Sequence, residues 1–395
     1  MHWWWRSICN YPRKTMIDFS LNNEQELIKK TARDFANDHL LPGVIERDEK
    51  AEFPYEQIKM MGELGFMGMM VPENLGGSGF DTISYVIALE EIASIELATS
   101  TVMSVNNSLV CQILMEYGTP EQKEKYLRSL AKGKKLGAYS LSEPQSGSDA
   151  SNMRTFAKKD GDNYIINGVK NWVTNGINCD IVILFCVTNK DSDKKEITAF
   201  IIEKGTQGFK TGKKEDKLGI RASDTCELYF ENCRINKENI IGSVGDGFKI
   251  AMQTLSGGRI GIAAQALGLA KAALNASVSY AKERKQFGRS IGSFGAINNK
   301  IADMATDVDA ARMLVWRAAF LKDSGKPFLN ESSMAKLFAS SVAMKAATEC
   351  VQIHGGYGYM QEYGVERLMR DAKITQIYEG TSEIQQLVIG RELMK

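Results

Sequence analysis

The stretch NYIINGVKNWVTNG, residues 163–176, decides how this chain divides. Its β-branched and aromatic residues are split by Asn-Gly pairs, the pattern of strands joined by tight turns. CDIVILFCVTN (179–189), EITAFIIEK (196–204) and CELYFENCRI (226–235) have the same texture. Outside this block the apolar spacing turns helical. Upstream lie LIKKTARDFANDHL (27–40), YEQIKMMGELGFMGMM (55–70), ISYVIALEEIASI (83–95), STVMSVNNSLVCQILMEYG (100–118) and PEQKEKYLRSLAKG (120–133), separated by breaks such as VPENLGGSGF. Downstream of GDGF (245–248), helical spacing runs through GIAAQALGLAKAALNASVSYAKERKQFG, IADMATDVDAARMLVWRAAFL and SSMAKLFASSVAMKAATECVQIHGG. The order predicts a mainly α chain with a central β-domain: helices over 16–136, a β unit over 137–243, helices over 244–395. The C-terminal helices are Ala- and Met-rich and apolar over much of their circumference, which predicts burial in an oligomer as well as within the monomer.

Residues 1–15, MHWWWRSICNYPRKT, do not match the rest of the chain. They lack the apolar core and small-residue cleavage site of a secretory signal. They read as an upstream-extended start with Met16 as the natural initiator, a short organelle-targeting segment being the alternative. The 395 residues are 44% hydrophobic and 25% charged with a formal net charge of +1, enough for two or three domains and without the basic excess of a nucleic-acid binder. The cysteines (Cys9, Cys111, Cys179, Cys186, Cys226, Cys233, Cys350) form no CxxC pair, which excludes a zinc ribbon and points to a reducing compartment. With only three histidines (His2, His39, His354), a His-based metal site or a Ser-His-Asp hydrolase is disfavoured. No apolar run is long enough to span a bilayer. GxGxxG and GxxxxGK[ST] are both absent, so neither a Rossmann fingerprint nor a P-loop is present.

Several stretches carry chemistry. YSLSEPQSGSDA (139–150) gathers hydroxyls and a Pro turn before the β unit, suited either to a planar or anionic ligand or to a plain solvated loop. In GVKNWVTNG, Trp172 and Thr174 face one side of a regular strand, as ligand wall or as core. LSGGRIGIAAQALG reads as a Gly-rich helix opening beside Arg259, either a candidate anion site or a place where glycines permit close helix contact. KERKQFGR (282–289) ends a helix with Arg284 and Phe287. QIHGGYGY (352–359) places Gly355 and Gly356 after a long helix, consistent with a C-cap, and His354 reads as structural. In QIYEGTSEIQ (376–385), Thr381 or Ser382 N-caps the last helix with Glu383 in its first turn, leaving Glu379 on the break before it.

Together, in this order around a β unit, these stretches resemble the acyl-CoA dehydrogenase family, most closely its short-chain (butyryl-type) members, from about Met16 to Lys395. The resemblance implies an N-terminal helical domain, a middle β-barrel-like domain and a C-terminal four-helix bundle that assembles a homotetramer. It implies FAD as cofactor, with contacts from Tyr139, Leu141, Ser142, Ser148, Trp172, Thr174, Thr381 and Glu383, and, reaching a neighbouring subunit's FAD, Arg284, Phe287, Gln352, Gly355 and Gly356. Ser148, Ser256, Arg259 and Gly380 fall at acyl-CoA positions, and no metal is implied. Glu379 falls on the catalytic base. Proton removal beside a thioester needs a carboxylate made more basic by a desolvated pocket. A hydride then leaves the β-carbon to give trans-2-enoyl-CoA, with electrons passing to an electron-transfer flavoprotein. The family's other base position is Gly258 here, which has no side chain. Two departures stand out: Ser256 where relatives carry Asp, and Gly295 where they carry Gln. An acyl-CoA oxidase or flavin monooxygenase on the same scaffold, or a non-catalytic binding member, are the alternatives. The compartment implied is the bacterial cytoplasm, or the mitochondrial matrix in a eukaryote.

Overall fold

Asn22 opens the first helix with a reciprocal capping box: its side chain accepts from Gln25 N, and the Gln25 side chain reaches back to the Asn22 amide. The computed structural model describes residues 19–189 and 195–395, so the reading of residues 1–15 and of Met16 lies outside the described residues. Asp81 caps the helix Thr82–Ala93 with its side chain alone, which accepts from Ser84 N. The run from Leu97 is continuous but not uniform, because an α-helix to Ser104 passes into a π-helical segment, Val105–Cys111, before Gln112–Tyr117. Asn106 and Asn107 of that segment bond the carbonyls of Met67, Leu130, Phe66 and Met103, and Asn106 Oδ1 receives Gly137 N. The helical layer is thereby fastened to the first strand.

The middle of the chain is an eight-stranded mixed sheet. Its strands are β1 (Gly137–Ser140), β2 (Phe156–Asp160), β3 (Asn163–Thr174), β4 (Ile181–Asn189), β5 (Glu196–Glu203), β6 (Phe209–Lys214), β7 (Thr225–Asn236) and β8 (Ile240–Ile241). The order is β6-β7-β3-β2-β4-β5-β8, and β1 lies parallel to β4 with Gly137 opposite Ile181. Among the described residues the end strands β6 and β8 do not pair with each other. The apolar face holding Leu184, Phe200, Leu228 and Phe230 forms one core; Ile183, Phe185 and Ile201 pack with Leu109, Ile113, Leu127 and Ile250 into a second.

Three long helices come next, Gly247–Glu283, Gly295–Asp323 and Leu329–His354, with the shorter Val365–Thr375 and Ser382–Leu393 completing the chain. They share a third core with the N-terminal helices, in which Leu89, Ile92 and Met103 meet Ile260, Leu267, Val315 and Ala343. Gly268 lets the first long helix approach so closely that a Cβ there would run into the Glu90 carbonyl. The two helical blocks therefore sandwich one apolar interior, and residues 378–382 cross its edge.

Candidate functional site

The helix Val365–Thr375 ends at Gln376, and Thr381 caps the next, its Oγ1 accepting from Ile384 N at 3.4 Å. Between them Glu379 (φ +52°) and Gly380 (φ +95°) are both left-handed. For a glutamate that conformation costs on the order of 1–3 kcal/mol and persists only when its surroundings impose it. Lys336 Nζ donates to Gly380 O at 2.6 Å, and Gln385 Nε2 donates to Gly380 O at 2.9 Å and to Glu379 O at 3.3 Å. The turn is clamped from two helices.

The clamp points the carboxylate inward. Glu379 Oε2 is closed to solvent and has no hydrogen-bond partner. It lies against Gly258, where a Cβ would collide with it, beside Leu109. Burial pushes the Glu379 carboxyl up to about 7, against the opposing pull of Lys336 and Arg259. Arg259 is buried, with Nη1 donating to Ser333 Oγ at 3.2 Å and Nε unpaired. Burial, reinforced by the Glu379 charge, holds the Tyr139 hydroxyl well above its ordinary range. Tyr378 is shifted the same way and donates to Gln265 Oε1 at 3.0 Å. The result is a carboxylate with a buried, unpartnered Oε2 and a proton affinity shifted to about 7.

The loop after β1 is built, not free. Lys170 of β3 and Glu143 form a buried pair at 2.9 Å, and Lys170 Nζ also donates to Leu141 O at 2.9 Å. Burial alone would raise the Glu143 carboxyl, but the Lys170 charge and bond, with the Arg154 amide, outweigh it and bring it to about 2. Asn171 N donates to Ser142 O at 2.9 Å, tying strand to loop. Leu141 is buried, Ser142 half-buried and Ser148 exposed. Tyr139 OH, Ser140 Oγ and Asn171 Oδ1 are buried without partners. Register slips between Lys170 and Val173, so β3 carries a bulge, and Trp172 sits in it at φ +60°. Trp172 and Thr174 still flank the buried Val173, but the bulge breaks the regular alternation expected of a plain strand and leaves the indole 64% exposed.

A cleft of about 460 Å³ opens elsewhere, lined by Tyr280, Arg284, His354, Gly355, Gly356 and Tyr357 among others. Arg284 follows the helix end at Glu283, lies 5.3 Å from the Tyr357 ring, and has no carboxylate partner among the described residues. His354 stacks on Tyr280 with ring centroids 4.1 Å apart, and its Nδ1 lies 2.8 Å from Cys350 O, so it is structural as well as lining the cleft. Gly355 caps the helix at φ +63°. Gln352 and Phe287 stay outside the lining, Phe287 93% exposed at φ +51°. Neither Glu379 nor any residue of β3 borders this cleft.

One expectation is corrected. The glycines before Arg259 do not open a helix. The helix starts at Gly247, and Gly257, Gly258 and Arg259 lie in its buried interior, so no helix N-terminus faces an anion there. Ser256 Oγ bonds back to Met252 O at 2.9 Å, and nothing lies within 4 Å of a Cβ built on Gly295. Lys336 and Gln385, which sequence reading passed over, hold the Glu379 turn. The only signal was a lysine, one of two, in an Ala- and Ser-rich helix.

All six described cysteines are free and buried, and no described cluster of His, Cys, Asp and Glu could hold a metal ion. No helix among the described residues is long and apolar enough to cross a membrane. The N-terminal, middle and C-terminal domains of acyl-CoA dehydrogenase match residues 22–134, 138–233 and 245–394. The chain belongs to the acyl-CoA dehydrogenase family. Members of this family are oxidoreductases and flavoproteins. The chain is 50% identical to the short-chain specific acyl-CoA dehydrogenase of Clostridium acetobutylicum over 96% of its own length and 100% of the relative's. Against the solved butyryl-CoA dehydrogenase of Megasphaera elsdenii the TM-score is 0.94 at 48% identity, covering 96% of this chain and 100% of that one. A structure described for the electron transferring flavoprotein of Acidaminococcus fermentans contains a chain 50% identical, with a TM-score of 0.94 and coverage of 96% and 100%.

Proposed function

We propose that this member of the family dehydrogenates short-chain acyl-CoA thioesters at the α,β-position, with Glu379 as the base. The observation that carries the reading is the inward, unpaired Glu379 carboxylate pushed up to about 7. A base near neutrality removes an α-proton at physiological pH and holds it in a water-poor pocket. Gly258 contributes by absence, since any side chain there would occupy the space the carboxylate uses. Gly380 stands beside the thioester, and Arg259 and Ser256 on the CoA side.

The residues present fit FAD. Tyr139, Ser140 and Asn171 offer unpartnered buried polar atoms beside the Ser142–Ser148 loop, and Trp172 presents an exposed aromatic face. Tyr139, Leu141, Ser142, Ser148, Trp172, Thr174, Thr381 and Glu383 would hold one flavin. Arg284, which lines its own cleft with no carboxylate partner among the described residues, would with Phe287, Gln352, Gly355 and Gly356 reach that of a neighbouring subunit. Bound FAD would supply the acceptor for the β-hydride, giving the trans-2-enoyl thioester. That split of contacts supports a homotetramer, as does the exposure of Phe287, Tyr359, Leu387 and Leu393 on the C-terminal helices and their connecting loops. Reoxidation by an electron-transfer flavoprotein is the partner reading, supported by the chain in the Acidaminococcus structure. Bacterial and mitochondrial relatives support a cytoplasmic or matrix location.

Turnover measured across saturated thioesters from butyryl- to palmitoyl-CoA tests the substrate class. The expected order places butyryl- to hexanoyl-CoA first; equal or better turnover of palmitoyl-CoA would refute it. Slow reaction of the reduced enzyme with oxygen is expected, and fast reaction would favour an oxidase.

A further inference from the structure

The helix Leu329–His354 turns Ser333 and Lys336, one turn apart, towards Arg259 and the Gly380 carbonyl. Lys336 is 0% exposed, yet no carboxylate pairs with it among the described residues. A buried ammonium is costly unless an anion and hydrogen bonds answer it. Among the described residues the other fully buried lysine, Lys170, is answered by Glu143 at 2.9 Å. Lys336 has one hydrogen-bond partner, at 2.6 Å: the carbonyl of the residue that follows Glu379.

We infer that Lys336 is a positioning residue for Glu379: by holding Gly380 O it fixes the two consecutive left-handed residues and so aims the carboxylate past Gly258. The inference rests on the dehydrogenase reading of Glu379. Gln385 grips the same carbonyl from the following helix, but without charge and with its own Oε1 unpaired. The charge matters as well as the bond. The groups that act electrostatically with Glu379 are Arg259 on the long helix, Lys336, Tyr85 on Thr82–Ala93, Tyr139 on β1, and Tyr378 beside it. Of these only Arg259 and Lys336 favour the ionised carboxylate, against burial. Losing Lys336 removes the larger of those two opposing charges and the anchor of the turn together.

The test compares Lys336→Met and Lys336→Gln with the parent holoenzyme in anaerobic single-turnover bleaching of the flavin by butyryl-CoA, across pH and with α-deuterated substrate. Lys336→Met is expected to bleach ~10–100-fold more slowly, the scale of a base displaced by a fraction of an ångström to an ångström. Its acid limb should move to higher pH and its α-deuterium isotope effect should grow, neither of which a purely structural loss produces. Lys336→Gln keeps a donor without the charge, so it should recover part of the rate at high pH while keeping the displaced limb. Should Lys336→Met fail to fold, an unmoved limb in Lys336→Gln overturns the inference. A parent that bleaches normally beside variants of unchanged rate and limb overturns it too. A parent that butyryl-CoA cannot bleach overturns the dehydrogenase reading, and the inference with it.

Discussion

Gly258 and Glu379 stand face to face: a Cβ on Gly258 would collide with Glu379 Oε2 and lie 2.9 Å from Leu109 Cδ2. The two positions therefore address one point in the pocket from opposite elements, a helix interior and a left-handed turn. Gly258→Ala should displace the carboxylate and slow flavin bleaching by butyryl-CoA ~10–100-fold with flavin content unchanged. The pair Glu379→Gly with Gly258→Glu should recover part of the bleaching that Glu379→Gly alone abolishes. Glycine adopts the φ of +52° at position 379 without strain, so the exchange does not disturb the turn. Full-rate bleaching by Gly258→Ala would show that the carboxylate does not work from this place.

The pH dependence rests on the Glu379 carboxyl at about 7. A base must be unprotonated, so the rate of bleaching should be full above that value and fall as pH drops through it. The direct check is the single-turnover rate from about pH 5.5 to 9, monitored in the flavin band. A rate still flat at pH 5.5 would mean an ordinary, solvated carboxylate.

Position 379 was legible because Gly-Thr-Ser interrupts an apolar helical pattern directly after a charged residue, and the cap at Thr381 is where that pattern puts it. Lys336 was not, since its partner is a carbonyl 44 residues further on, and no local pattern encodes a contact made only by helix packing. The paired glycines before Arg259 misled for a related reason. Glycines mark a helix start or a close approach equally well, and here Gly258 makes room for Glu379. Trp172 sits on a bulge that period-two reasoning cannot register, because one extra residue leaves both flanking patterns intact. The three-part layout was visible throughout, since hydrophobic period changes at each end of the β unit.

Arg284→Ala should lose flavin on dilution more than it slows bleaching per flavin bound, because Arg284 lines its cleft with no carboxylate partner among the described residues and the proposed charge-assisted bond to phosphate would be lost. Flavin-to-protein ratio after gel filtration measures this. Stoichiometric retention would remove Arg284 from the cofactor site.

Lys170→Met should strand Glu143 as an uncompensated buried charge and cost about 3–5 kcal/mol in urea unfolding. Because the Glu143 carboxyl lies at about 2 when folded, below its ordinary 4.5, the parent's stability from this pair is complete above pH 4.5 and lost as pH falls towards 2. The gap between parent and variant should narrow as pH falls towards 2 and Glu143 becomes protonated in both. A variant as stable as the parent at neutral pH would show that the pair is not what holds the loop.

The central claim is that Glu379 removes the α-proton, and Glu379→Gln tests it most directly, by anaerobic mixing of the flavin-loaded variant with butyryl-CoA in a stopped-flow spectrophotometer. Glutamine keeps the shape of the side chain and cannot accept the proton, so the account predicts a spectral shift on binding with no bleaching of the oxidised flavin, a loss of ~10²–10⁴ or more in rate. It also removes a carboxylate that the fold forces to ionise at a raised value of about 7, so the same preparation should unfold at higher urea than the parent at about pH 8 and lose that advantage towards pH 5. Bleaching at the parental rate by Glu379→Gln would contradict the account and place the base elsewhere.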